Sequence, residues 1–138
     1  MSEGTPRTLA SPTAVVWGVL GGIAHAGVAT LLWNYWFDDL GELLTVKPLT
    51  GAYIVLGMFL LGFVPVLCYV GERVVAPGIV VGVFLLVSVI GSWLANAVRA
   101  PATVPTPFAL YILVWVGVVA LAGVAGWVEY RRLHRPPG

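Results

Sequence analysis

The sequence predicts an all-α integral membrane protein, a bundle of four transmembrane helices with a short amphipathic interfacial segment after the first helix. Of its 138 residues, 59% are hydrophobic and only 9% are charged, against about 25% charged in a soluble domain. A soluble chain of this length cannot bury so much apolar surface, because small domains bury a limited fraction of what they expose. We therefore expect the bilayer to solvate most of a single membrane domain, residues 1–138.

Four apolar stretches are long enough to cross a bilayer, whose hydrocarbon core of about 30 Å requires about 20 helical residues. They cover about residues 13–36, 49–70, 75–97 and 107–127, and none contains Asp, Glu, Lys or Arg. Pro12, Pro48 and Pro107 stand at or just before three of the starts, where the missing N–H of proline costs a helix nothing. Pro65 lies inside the second stretch and predicts a bend there.

The distribution of basic residues predicts that both termini are cytoplasmic. An even number of spans places both tails, residues 1–12 and 128–138, on the same side of the membrane. The connection between the second and third spans lies on that side too. That side carries five basic residues and the opposite side two: Arg7, Arg73, Arg131, Arg132 and Arg135, against Lys47 and Arg99. Lys and Arg concentrate in cytoplasmic loops, which predicts a multi-pass protein of the cell membrane. The first span exceeds the apolar core of a signal peptide, so we expect it to be retained.

An aromatic belt and an acidic segment follow the first span. Trp33, Tyr35 and Trp36 are the amphipathic rings typical of a membrane interface. After the belt, apolar residues recur at helical spacing and acidic residues occupy the opposite face, which predicts an amphipathic helix lying in the interface. The apolar residues are Phe37, Leu40, Leu43 and Leu44, and the acidic ones are Asp38, Asp39 and Glu42. We interpret the carboxylates as a solvated acidic face. The alternative is a Ca²⁺ or Mg²⁺ site on Asp38 and Glu42, for which three carboxylates are few.

His25 is the one ionisable side chain near the middle of a predicted span, and such residues are candidates for function. It borders a strip of small residues that allows close approach of another helix: Gly18, Gly22, Ala26 and Ala29. We expect His25 to face a neighbouring helix and to bond with backbone, Asn or Ser groups. The alternatives are a proton or substrate pathway and a cofactor ligand, for which haem would normally require a second axial residue.

Four serine and asparagine side chains also fall within the spans. Ser88, Ser92 and Asn96 share nearly one face of the third span, and Asn34 lies at the outer end of the first. We expect these groups to form a polar seam between the third and first spans, as interhelical hydrogen bonds. The alternative is that they line a shallow outer vestibule.

The functional prediction proceeds mainly by exclusion. The sequence has no nucleophile–base pair, Gly-rich phosphate loop or cluster of metal ligands, so we expect neither an enzyme nor a metal or cofactor site. A net charge of +1 argues against a nucleic-acid partner. The favoured function is a structural or accessory subunit of a membrane complex, as a homo-oligomer or with other membrane subunits. The alternative is a small oligomeric transporter or channel with His25, Ser88, Ser92 and Asn96 near its path.

Overall fold

The computed structural model describes residues 11–37, 39–99 and 105–135. These residues form helices and no strand. Three of the helices are long and apolar enough to cross a membrane, and a bent pair of helices counts as a fourth if it is one span. The helices are α1 Pro12–Trp36, α2 Leu40–Val46, α3 Pro48–Glu72, α4 Ala76–Ala97, α5 Pro107–Leu113 and α6 Trp115–Leu133.

Local sequence explains where the first helices begin. The Ser11 side chain caps α1 by accepting a hydrogen bond from the Ala14 N–H, and Pro12 occupies the first turn, as expected of a helix N-terminus. Asp39 caps α2 in the same way, by accepting from the Gly41 N–H. In α2, Leu40 is buried and Glu42 is exposed, so the predicted amphipathic helix after the first span is present.

Helix α3 is the centre of the fold. It packs against every other helix, most extensively against α1. It runs without interruption through Pro65 and ends at Arg73, whose backbone is left-handed with φ of 56°. This conformation reverses the chain within three residues, and α4 then starts at Ala76. The short connection makes α3 and α4 antiparallel neighbours.

The fourth predicted span is not one straight helix, which corrects the expectation from the sequence. It breaks at Val114, and the axes of α5 and α6 differ by 72°. The residues before the break are apolar helix formers without glycine or proline, so tertiary contacts hold the bend. The Tyr53 hydroxyl donates to the Leu113 carbonyl at 2.8 Å. Gly57 lies against the Trp115 indole, where any larger residue would collide with the ring.

The bend gives α5 a different role from that of a bundle helix. Phe108 and Ile112 are fully buried and Tyr111 is 3% exposed, so α5 fills the core with three large side chains. Helix α1 packs on α3 and α2, and none of its Cα atoms lies within 8 Å of a Cα atom of α4, α5 or α6. The arrangement is therefore a central α3 with α1 on one side and α4 to α6 on the other.

Candidate functional site: the His25 hydrogen-bond cluster

His25 lies at the junction of α1, α3 and α5, with both ring nitrogens hydrogen-bonded. Its Nδ1 is 2.7 Å from the Met58 carbonyl oxygen and its Nε2 is 3.0 Å from the Tyr111 hydroxyl. A carbonyl only accepts, so Nδ1 carries the proton and donates to Met58. Nε2 of the neutral ring then accepts from Tyr111. The imidazole thus has one donor and one acceptor, and each has a partner.

The strip of small residues positions this cluster by letting α1 and α3 approach closely. A Cβ atom added at Gly22 would lie 2.5 Å from the Phe59 ring, and one added at Gly18 would lie 3.0 Å from the Phe63 ring. Gly62 on α3 faces the His25 Cβ and the Gly21 carbonyl too closely for any side chain. The predicted contact of the strip with a neighbouring helix is therefore present, and that helix is α3.

Tyr111 is the partner that the sequence analysis missed. His25 lies eleven residues before the end of α1, about 16 Å along a helix, whereas Tyr111 lies four residues after the start of α5, about 6 Å. If the fourth span were straight and its end level with that of α1, the two side chains would differ in depth by about 10 Å. In the structure the span is bent at Val114, and Tyr111 lies within hydrogen-bond distance of His25. A tyrosine within an apolar span was the only available signal.

Aromatic contacts extend the cluster toward the end of α1. The ring centroids of Tyr111 and Phe108 are 6.4 Å apart, and those of Phe108 and Trp36 are 5.5 Å apart. On the other side, the Thr30 hydroxyl lies 3.8 Å from the Met58 sulfur, in a weak hydrogen bond. The His25–Tyr111 pair therefore has aromatic rings on the side toward the end of α1, while His25 itself is half-buried.

The polar seam predicted between the first and third spans is not seen, because the backbones of α1 and α4 are not close neighbours and Ser88, Ser92 and Asn34 bond to other groups. Ser92 instead accepts from the Phe108 N–H at 2.8 Å and so caps α5. The Ser88 hydroxyl donates to the Leu85 carbonyl of its own helix at 2.8 Å. Asn96 is exposed. Ser88 and Ser92 thus have separate partners and do not bond to each other.

Asn34 and the acidic segment organise the connection after α1. The Asn34 side-chain oxygen accepts from the Leu40 N–H at 3.2 Å and ties α1 to the start of α2. Asp39 and Glu42 are exposed, whereas Asp38 lies outside the described residues. Within residues 11–37, 39–99 and 105–135, no group of three His, Cys, Asp or Glu side chains is placed to hold a metal ion.

Glu129 is a second residue that the sequence analysis did not identify. Its Oε2 accepts from the Val75 N–H at 2.9 Å and from the Ala76 N–H at 2.6 Å. These N–H groups belong to the start of α4, where a carboxylate is favoured by the helix dipole and by unpaired donors. Glu129 therefore joins α6 to α4. Because more than fifty residues separate Glu129 from Val75 and Ala76 in the sequence, no local pattern predicts this contact.

Comparisons with protein-family models, with curated proteins and with solved structures find no match to this chain. Any functional conclusion therefore depends on the described residues themselves. Their best-defined polar cluster is His25, Tyr111 and the Met58 carbonyl, which lies where three helices meet.

Proposed function

We propose that this chain is a four-span protein of the cell membrane, with both termini cytoplasmic, that acts as a structural or accessory subunit of a membrane complex. In this proposal, α1, α3, α4 and the α5–α6 pair each cross the bilayer once. The connection containing α2 lies on the outer side. The chain has no catalytic role and contributes packing surface to a homo-oligomer or to other membrane subunits.

The apolar side chains exposed on the surface of the bundle support a membrane location. Large apolar side chains are widely exposed along α1 and α4, including Leu31 at 72% and Val87 at 63%. Soluble monomers rarely expose continuous apolar surface of this extent. Lipid tails or the helices of other subunits would cover these faces.

The observation that carries the structural role is the complete hydrogen bonding of His25. A side chain that transfers protons requires access to water or to a titratable neighbour on each side. His25 bonds to the titratable Tyr111 on one side only, and on the other side it donates to a backbone carbonyl, which cannot titrate. This arrangement supports a role in joining α1, α3 and α5.

Gentle detergent extraction from the native membrane, followed by native mass spectrometry, tests the proposed function. We expect the chain to leave the membrane in a stoichiometric complex, with copies of itself or with other membrane subunits. A chain recovered only as a lipid-bound monomer, at several detergent concentrations, would contradict a subunit role.

Cysteine labelling tests the topology. In a Cys68→Ala background, Thr45→Cys on α2 and His134→Cys after α6 are expected to react with an impermeant maleimide from opposite sides of a sealed vesicle. Both positions are exposed, so each can be labelled if its side is accessible. Labelling of both from the same side would contradict the proposed four crossings.

The break at Val114 favours a second candidate, a small oligomeric transporter or channel. Discontinuous helices commonly form substrate sites in transporters, and this one lies beside the His25–Tyr111 pair. The Trp115 indole N–H is also buried without a hydrogen-bond partner among the described residues. His25→Gln distinguishes the candidates, because an amide cannot titrate. A folded, assembled variant that loses a cellular transport phenotype would favour the transporter.

A further inference from the structure

A cavity of about 360 Å³ lies between the end of α1 and the helix α2. Its lining combines two aromatic rings with charges of both signs: Trp33, Phe37, Asp39, Glu42 and Lys47. The remaining lining is apolar and comes from α2. The cavity thus has an apolar wall and a charged rim.

The aromatic part of the lining is suited to a cation. The rings of Trp33 and Phe37 have centroids 4.8 Å apart and planes inclined at 46°, and both residues line the cavity as its aromatic wall. A cation over the face of an aromatic ring is attracted by the ring quadrupole, and tryptophan gives the strongest attraction. An ammonium group fits this wall better than a hard metal ion, which requires oxygen ligands in larger number.

The charged rim extends the same argument. Glu42 and Asp39 supply carboxylates, of which Asp39 also accepts from the Gly41 N–H. Lys47 lines the same cavity and is the one basic residue among the described residues that does so. A ligand complementary to this rim carries a cation and an anion a few bonds apart. An ethanolamine phosphodiester has this charge pattern.

We propose that the cavity binds the headgroup of an amine-bearing phospholipid, with the ammonium group near Glu42 and the aromatic wall and the phosphate near Lys47. The proposal rests on the proposed membrane location, in which the end of α1 reaches the outer headgroups. Aromatic and basic anchors at this level are the usual contacts of a membrane protein with headgroups. The acyl chains would then continue along the apolar surface of α1 and α3.

Native mass spectrometry of the purified full-length protein tests the proposal. The protein is first inserted into vesicles of equal parts phosphatidylethanolamine and phosphatidylglycerol, and is then released into mild detergent. We expect phosphatidylethanolamine to be retained about three- to tenfold more than phosphatidylglycerol, the size of one or two cation contacts. Glu42→Gln removes one carboxylate charge with little change in shape and is expected to lower the preference clearly, because Asp39 and the aromatic wall remain. Glu72→Gln, at the opposite end of the molecule, is the matched control and is expected to keep it.

Equal retention of the two lipids by the wild type, or an unchanged preference in Glu42→Gln, would overturn the proposal. If an equal concentration of free phosphoethanolamine displaced the bound lipid, the occupant of the cavity would be the free compound and not a phospholipid. The vesicle step separates this proposal from the membrane location. A protein that alkaline carbonate extracts from the vesicles refutes the location, whereas an inserted protein without lipid preference refutes only the headgroup site.

Discussion

Replacing Gly22 by leucine is expected to separate α1 from α3. A Cβ atom alone at this position would lie 2.5 Å from Cε2 and 2.7 Å from Cδ2 of Phe59. The ring of Phe59 is stacked on that of Phe63 with centroids 5.5 Å apart, so it cannot move aside without disturbing a second contact. The ring must therefore shift to admit even the first added carbon atom of leucine.

The magnitude follows from overpacking. Extra methylenes in a packed core typically cost about 1–3 kcal/mol, and we expect Gly22→Leu to reach or exceed about 3 kcal/mol because the obstruction begins at the first added atom. Gly27→Leu is the matched control, since it changes the same residue type on the same helix. No atom lies within 4 Å of a Cβ added at Gly27, and leucine has the higher helix propensity.

Unfolding by SDS in mixed micelles, monitored by tryptophan fluorescence, measures the difference. We expect a large loss of stability for Gly22→Leu and none for Gly27→Leu, and loss of any assembled complex on native gels only for the former. Equal stability of the two variants would refute the assigned packing of α1 on α3.

Three further substitutions test single hydrogen bonds by the same unfolding assay. His25→Gln keeps a hydrogen-bonding group and is expected to cost about 1 kcal/mol or less, far below Gly22→Leu; a larger loss than that of Gly22→Leu would contradict the packing role of the strip. Tyr53→Phe leaves the Leu113 carbonyl without its side-chain donor and is expected to cost about 1 kcal/mol, whereas Tyr35→Phe at an exposed ring is the neutral control. Glu129→Ala removes the cap of α4 and is expected to cost about 1 kcal/mol. Glu129→Gln retains an acceptor oxygen and is expected to lose less stability. Equal losses in the two variants would contradict the assigned hydrogen bonds from Glu129 to the start of α4.

The sequence alone determined the positions of the three long unbroken helices, α1, α3 and α4. Apolar length, the exclusion of charge from the spans and the prolines at their starts are local properties, because each depends on a helix satisfying its own backbone in an apolar solvent. The amphipathic helix α2 was also predictable, because apolar and acidic residues alternate there with a helical period. The capping by Ser11 and Asp39 belongs to the same local chemistry.

Only the tertiary structure decided which helix faces meet. A helix that is apolar on all sides carries no period that distinguishes a lipid-facing side from a packed one, so the contact of Ser92 with Phe108 and the separation of α1 from α4 were not readable. The break at Val114 has no local cause, since Tyr53 and Gly57 hold it from another helix. His25 bonds to a backbone carbonyl, as the sequence suggested, but its second partner is Tyr111 and not a serine or an asparagine, because the bundle brings α5 beside α1 and α3.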